Sequence, residues 1–266
     1  MRDEQGATGR RGGGRSEFVV FCDARTGSYN LTSLLNSADD IVCHGEIFKK
    51  GQIEVSDFHR RKLGPRSLAG RNHAASAFIA ELRRINPFKH FGYKMFASHL
   101  IWAPGAVEYL TAPTTKRVIL YRPGLEVYAS GLRARATGVW TNRSDRQVAG
   151  KALDARVEFT PESLETFSFH YNRYVSMCRM LAALPASFVI HYEQTNDPEV
   201  LDALLGFLGS KARASDLRSD YRKQYKGTLA DGFSNWEALQ AATGSLTPLG
   251  DGPAPTIPLR QLQPAG

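Results

Sequence analysis

The sequence predicts an α/β protein, a three-layer sandwich in which helices cover both faces of a central, mainly parallel sheet. Two observations favour this fold class. Short runs of wholly apolar residues are typical of strands that are buried on both faces, and these runs alternate along the chain with segments of helical periodicity. With 266 residues, 42% of them hydrophobic and 23% charged, the chain is long enough to bury one large core.

The first unit of the chain is a strand, a turn and a helix. The run Phe18–Cys22 is entirely apolar, and Leu31, Leu34 and Leu35 follow at helical spacing before a polar stretch at 36–40. The same criteria predict further alternating elements, in this order: a helix over 74–85, a strand over 91–96, a short helix over 106–110 and a strand over 117–121.

The second half of the chain carries clearer start and stop signals. Pro123-Gly124 precedes a predicted helix over 125–136. Thr160 offers a capping hydroxyl and Pro161 suits the first helical position, so a long helix is predicted to run to about residue 184. A strand over 187–192 and a helix over 198–207 complete the predicted core, which contains about four parallel strands.

Composition divides the chain into one domain and two tails. Residues 1–16 are rich in Gly and Arg and predict a flexible tail, 17–242 form the domain, and 243–266 are a Pro- and Gly-rich tail. The polar, patternless stretch 141–157 predicts a surface loop. No apolar run suggests a signal peptide or a transmembrane segment. The cysteine spacing suits neither a zinc site nor a disulfide framework, so a cytoplasmic location is expected.

The net charge of +8 predicts an anionic partner. Charge alone leaves nucleic acid, anionic lipid and a polyphosphorylated nucleotide as alternatives. Identifying the partner therefore requires the sequence motifs.

A first candidate anion site lies between the first strand and the first helix. Helix N-terminal amides favour an anion, glycine permits its close approach, and hydroxyl and guanidinium groups donate to phosphate or sulfate oxygens. The alternative is an ordinary capped turn with a surface arginine. A P-loop ATPase is disfavoured, because Cys22 stands where that motif needs a glycine and Ser28 where it needs a lysine. The residues of this anion loop are Arg25, Thr26, Gly27, Ser28, Tyr29 and Asn30.

A second candidate site is formed by Arg122, at the end of a predicted strand, and Ser130, eight residues later on the following helix. Both side chains could face one bound anion. The alternative is an exposed arginine and an unrelated small residue.

Together, the two features resemble the PAPS-dependent sulfotransferase family, in which PAPS is 3′-phosphoadenosine-5′-phosphosulfate. The resemblance covers roughly residues 17–240, and the stretch Arg25–Phe48 is similar to the bacterial carbohydrate and lipid-sugar branch. It implies a P-loop-NTPase-like sulfotransferase fold with PAPS as co-substrate, PAP as product and no metal. The anion loop would hold the 5′-phosphosulfate, Arg122 and Ser130 the 3′-phosphate, and Lys226 would belong to a segment that closes over the nucleotide.

Sulfuryl transfer requires stabilisation of developing negative charge and a base for the incoming hydroxyl. Arg25 and the loop amides would stabilise the charge. Glu46 matches a position where sugar-directed members of the family place a glutamate base, whereas His99 lies near the position of a catalytic histidine in the cytosolic branch. We favour Glu46 and leave His99 as the alternative, with His44 as a structural neighbour. The non-catalytic alternatives are that Glu46 is a solvated loop carboxylate and that His99 is a hydrogen-bonded structural imidazole.

The predicted function is transfer of a sulfuryl group from PAPS to an acceptor hydroxyl on a carbohydrate or glycolipid. The acceptor could also be a small molecule, no specific nucleic-acid partner is expected, and an oligomer is compatible with the sequence. The seven histidines show no metal-ligand spacing. Two other classes remain as alternatives: a nucleotide-dependent phosphotransferase, and a non-catalytic anion- or nucleic-acid-binding protein.

Overall fold

The computed structural model describes residues 15–143, 155–223, 225, 227–243, 246 and 248–258. Within these residues, five parallel strands form one sheet in the order β2-β3-β1-β4-β5. This arrangement confirms the predicted α/β class. The strands are β1 (Glu17–Phe21), β2 (Ile41–Glu46), β3 (His90–Met95), β4 (Thr115–Tyr121) and β5 (Ser187–His191).

Among the described residues, seven α-helices lie between the strands, as parallel pairing requires, and two more follow β5. They are α1 (Ser28–Asn36), α2 (Asp57–Leu63), α3 (Leu68–His73), α4 (Ala75–Ile85), α5 (Ala106–Thr111), α6 (Gly124–Thr137), α7 (Pro161–Ala182), α8 (Pro198–Leu208) and α9 (Trp236–Thr243). Short 3-10 helices over Ala97–Ile101 and Tyr192–Asn196 follow directly on the ends of β3 and β5.

Two hydrophobic cores lie on opposite faces of the sheet. Val19 and Phe21 of β1 point into the core that α4, α5 and α7 cover. Phe18 and Val20 point into the other core, which α1 and α8 cover. The alternation of β1 side chains between two buried faces explains why its sequence is wholly apolar. The predicted three-layer arrangement is therefore confirmed.

The helix caps that the sequence indicates are present. The Thr160 hydroxyl accepts the N–H of Ser163 at 3.3 Å, and Pro161 opens α7. Gly209 ends α8 with a φ of 86°, a left-handed conformation that favours glycine. The long helix and its start at Pro161 therefore follow from local sequence signals.

Strand β2 corrects the prediction of about four strands. Its sequence, Ile-Val-Cys-His-Gly-Glu, ends in polar residues and lacks the continuous apolar run used to recognise the other strands. In the structure it pairs with β3, and its His44 and Glu46 side chains are buried. Burial of these two polar residues depends on neighbours distant in sequence, which is why local patterning missed the strand.

Part of the segment predicted as a C-terminal tail packs against the outer edge of β5. The N–H of Thr256 donates to the carbonyl of Val189 at 2.9 Å, and the N–H of Val189 donates to the Thr256 hydroxyl at 2.7 Å. The carbonyl of Pro253 lies 2.9 Å from Nε2 of His191. These contacts cover backbone groups that an edge strand otherwise leaves open.

Residues 1–14, which make up most of the predicted N-terminal tail, and residues 144–154 of the predicted loop lie outside the described part of the chain. Among the described residues, no helix combines the length and apolar character needed to cross a membrane.

Candidate functional site

A cleft of about 740 Å³ opens at the carboxyl ends of the strands. This is the edge at which open parallel sheets bind ligands. Residues from sequence segments about a hundred positions apart meet there. The predicted site residues that line the cleft are Arg25, Gly27, Ser28, Tyr29, Asn30, Glu46, Arg122 and Ser130.

The anion loop has the backbone geometry of a tight turn into a helix. Arg25 and Gly27 both have positive φ, 68° and 91°. A Cβ on Gly27 would lie 2.5 Å from the ring of Tyr192, so a larger residue would clash there. Among the residues described, the first turn of α1 has no acidic side chain and Gly27 provides no side-chain cap. The positive end of α1 therefore faces the cleft.

Thr26 plays a different part from its neighbours. Its side chain is fully buried, and its hydroxyl donates to the carbonyl of Asp23 at 2.7 Å. The hydroxyl is therefore used to hold the loop, and a contact between Thr26 and a bound anion would come from its backbone.

The two predicted anion sites form one continuous cluster. Nε of Arg25 donates to the Ser130 hydroxyl at 3.0 Å, and Arg122 donates to the carbonyl of Arg25, also at 3.0 Å. Strands β1 and β4 are neighbours in the sheet, so the loop after β1 and the arginine after β4 are necessarily adjacent. The guanidinium of Arg122 also lies 4.0 Å from the centroid of the Tyr192 ring.

The cluster carries an excess of positive charge. Burial and, to a smaller extent, the neighbouring charges of Arg122 and Arg133 lower the pKa of Arg25 to about 10. Glu126 offsets part of this charge by accepting from Nε of Arg122 at 2.9 Å. A buried Nη1 of Arg133 has no hydrogen-bond partner among the described residues. An anion bound between these groups would relieve their mutual repulsion.

Of the two candidate bases, Glu46 lines the same cleft, whereas His99 is buried beside Glu46 and does not line it. Oε2 of Glu46 is 3.4 Å from Nε2 of His99. Nδ1 of His99 accepts the N–H of Phe96 at 3.2 Å, so in the neutral imidazole the proton is on Nε2 and points towards Glu46. The two residues therefore form a pair in which His99 can orient the carboxylate.

The sequence analysis missed a third member of this group, Lys94. Its side chain is fully buried on β3, with Nζ 3.7 Å from Oε1 of Glu46 and 3.4 Å from the centroid of the Tyr29 ring. Nζ has no hydrogen-bond partner among the residues that the structure describes. A lysine inside an otherwise buried strand was the available signal, because an isolated buried charge is costly unless it serves a partner or a ligand.

The backbone around Glu46 is held by buried polar contacts. Glu54 accepts the N–H of Glu46 at 3.1 Å and the ammonium of Lys49 at 2.6 Å. The buried guanidinium of Arg71 donates to three backbone carbonyls of the loop that follows β2: those of Ile47 and Lys49 at 3.0 Å each and that of Gln52 at 2.9 Å. These contacts fix the position from which Glu46 enters the cleft.

His44 differs from Glu46 in its environment. Burial and, to a smaller extent, the neighbouring His59, whose ring centroid is 4.3 Å away, lower the pKa of His44 to about 3. His44 is therefore neutral near pH 7, which fits the structural role expected for it.

Replacing Asp23 with Asn should change how stability depends on pH. Burial raises the pKa of Asp23 from 3.8 to about 6, although the carboxylate accepts the N–H of Ala24 at 2.7 Å. Because the folded pKa is above the unfolded one, wild-type stability should fall as the pH rises from about 4 to about 7. Thermal unfolding of Asp23→Asn should lack this fall. A variant with the wild-type pH profile would contradict the raised pKa.

Several cleft residues were not predicted as site residues. Tyr192 follows β5, Arg133 lies on α6, and Trp140 is half exposed in the segment after α6. The signal for Tyr192 and Arg133 is their position after the carboxyl end of a strand or on the helix that follows it, which identifies a site only once the strand order is known. Lys226 lies outside the described residues, while its neighbours Tyr225 and Gly227 line the cleft.

No family model and no curated protein sequence matches the chain. Solved structures of sulfotransferases are similar to it. The sulfotransferase domain from the curacin biosynthetic pathway is 14% identical over 85% of this chain and 86% of that one, with a TM-score of 0.47. The sulfotransferase domain of the Synechococcus PCC 7002 olefin synthase is 13% identical over 89% and 86%, with a TM-score of 0.47. A sulfotransferase from Alicyclobacillus acidocaldarius is 14% identical over 86% and 92%, with a TM-score of 0.44.

Proposed function

We propose that this protein is a PAPS-dependent sulfotransferase that transfers a sulfuryl group to an acceptor hydroxyl. The observation that carries the proposal is that a positively charged anion site shares one cleft with the carboxylate of a carboxylate–imidazole pair. The anion site is built from the loop after β1 together with Arg122 and Ser130, and the pair is Glu46 and His99.

The residues present fit a donor with two anionic ends. The anion loop would hold the 5′-phosphosulfate, and Arg122 with Ser130 would hold the 3′-phosphate. The fit is supported by the depressed pKa of Arg25, since burial and the surrounding guanidinium groups leave a site that is more stable with an anion bound. When bound, PAPS would supply the sulfuryl group.

We assign a distinct role to each of the three residues Glu46, His99 and Lys94. Glu46 would take the proton of the acceptor hydroxyl as the new oxygen–sulfur bond forms and the bond to the leaving phosphate breaks. His99 would orient Glu46 through its Nε2–H. Lys94 and Arg25 would stabilise negative charge on the transferred and leaving groups. PAP is then the product.

A carbohydrate or glycolipid acceptor suits the rest of the cleft better than a small alcohol. Tyr29, Phe96, Trp140 and Tyr221 line it, and the Trp140 side chain is 52% exposed. Aromatic rings with exposed faces provide surfaces on which sugar rings can stack. Asn142 and Lys49 add polar groups that could bind sugar hydroxyls.

Arg122→Ala and Ser130→Ala should each weaken the binding of PAP but hardly change the binding of adenosine 5′-phosphate, which lacks the 3′-phosphate. A charge-assisted hydrogen bond contributes about 1.5 to 3 kcal/mol, or roughly tenfold to a hundredfold in affinity. Titration calorimetry with both nucleotides measures the difference, with Arg179→Ala on the exposed face of α7 as the control. Equal losses for the two nucleotides would refute the 3′-phosphate site.

The function itself is tested by binding and by transfer. Calorimetry with PAP, ATP and a short oligonucleotide should show selective binding of PAP, and labelled PAPS should transfer its label to a member of a glycan, glycolipid or small-alcohol pool. Tight binding of ATP would favour a phosphotransferase instead. Binding of the oligonucleotide without transfer would favour a nucleic-acid-binding protein.

A further inference from the structure

A surface at the opposite end of the sheet from the cleft combines exposed phenylalanines with positive charge. Phe88 lies in the loop between α4 and β3, and its side chain is 80% exposed. Phe58 on α2 is 45% exposed. Single exposed apolar side chains are common on protein surfaces, so a contact surface here is indicated only by the positive charge beside the rings.

Four cations lie on the same segments as these rings or on the adjoining helix α4. Arg61 and Lys62 follow Phe58 at the spacing of one helical turn, Arg84 lies at the end of α4, and Lys89 follows Phe88. Within the described part of the chain, neither a hydrogen bond nor an ion pair to a carboxylate engages these four side chains. Arg60 and Arg83 nearby differ from them, since they lie 3.9 Å from Asp57 and in contact with Glu17, respectively.

The loop and α2 lie side by side. His59 of α2 packs against the ring of His44, which in turn packs against Phe91, three residues after Phe88. Burial lowers the pKa of His59, and the nearby charge of Lys89 lowers it further. The loop before β3 therefore lies beside α2, which also packs against α4. We name the exposed or charged side chains of these three segments the Phe88 surface: Phe58, Arg61, Lys62, Arg84, Phe88 and Lys89.

We propose that the Phe88 surface binds the headgroup layer of an anionic lipid membrane. The loop-tip ring of Phe88 inserts between lipids while the four cations contact anionic headgroups. Two separated phenylalanine rings offer too little apolar area for a stable protein interface, whereas insertion of one ring needs no complementary partner surface. The charge of the surface is complementary to anionic lipid.

Attachment through this surface leaves the cleft free. Phe88 precedes β3, at the amino ends of the strands, while the anion loop and Arg122 follow the carboxyl ends. The inference therefore goes beyond the proposed function and does not depend on it. Variants of the Phe88 surface should bind PAP as the wild type does.

Co-sedimentation with vesicles tests the proposal. The full chain should sediment with phosphatidylcholine vesicles that contain phosphatidylglycerol and not with phosphatidylcholine alone, and added salt should weaken binding. Phe88→Ser should reduce partitioning about tenfold to a hundredfold, as expected for loss of one inserted ring. Lys62→Glu and Lys89→Glu should each reduce it at least about fivefold.

The control is Phe169→Ser, because Phe169 is also exposed, by 61%, but lies on α7 outside the surface. It should sediment as the wild type does. Absence of sedimentation with anionic vesicles, or wild-type sedimentation of Phe88→Ser, would overturn the proposal. Binding to duplex DNA that needs the cations but not Phe88 would assign the surface to nucleic acid instead.

Discussion

Replacing Glu46 with Gln is expected to slow sulfuryl transfer by about 10²- to 10⁴-fold, the usual contribution of a general base. Glutamine keeps the size of the side chain and its ability to hydrogen-bond, but it cannot take the acceptor proton. The affinity for PAP should not change, because the anion loop, Arg122 and Ser130 are left intact. Turnover at saturating PAPS and calorimetry with PAP measure the two quantities separately.

His99→Asn is the matched control for this experiment. Nε2 of His99 lies 3.4 Å from Glu46, so its loss should disturb the orientation of the carboxylate and reduce turnover less than Glu46→Gln does. If the glutamine variant keeps near-full turnover while the His99 variant collapses, the histidine is the base. If neither variant is slowed, a group outside this pair accepts the proton.

Lys94→Met is expected to reduce turnover by about 10²- to 10³-fold, comparable to removal of one donor from an oxyanion hole. Methionine has a similar shape but no charge, so the negative charge that develops during transfer would lose a buried cation. The fold should persist, but the melting temperature should fall, because the buried Glu46 carboxylate loses the cation that lies 3.7 Å from its Oε1.

A second lysine provides a control that distinguishes a role of Lys94 in transfer from a general effect of losing a positive charge. Lys116 lies near the start of β4, at the opposite end of the sheet from the cleft, and its Nζ donates to the carbonyl of Phe207 at 2.6 Å. Lys116→Met should leave turnover unchanged. Wild-type turnover in Lys94→Met, or an equal loss in both variants, would contradict a role for Lys94 in transfer.

The role proposed for Lys94 could not be predicted from the sequence. The strand that carries it was predicted from its apolar neighbours, within about one residue of its observed bounds, His90–Met95. The lysine within that strand was passed over, because a single sequence does not show whether a charged residue in a strand faces solvent, an ion-pair partner or a ligand. Its contacts with Glu46 and the Tyr29 ring come from β2 and α1, which the sheet order brings beside β3.

Local sequence signals determined most of the elements. The apolar run of β1, the threonine and proline at the start of α7 and the glycine after α8 act through backbone geometry and burial, which a few neighbouring residues dictate. The same locality made the anion loop recognisable, because its glycine, hydroxyls and arginine all follow one strand within six residues. These features required no knowledge of the sheet order.

The tertiary structure alone decided that β2 is a strand, that Arg25 bonds Ser130, and that Glu46, His99 and Lys94 meet. Each of these depends on the order β2-β3-β1-β4-β5, which sets chain segments up to about a hundred residues apart side by side at the carboxyl edge of the sheet. Polar side chains such as Glu46 become buried there because distant residues supply their partners. A local pattern records hydrophobicity and turn propensity, but it does not record which partner a buried charge will have.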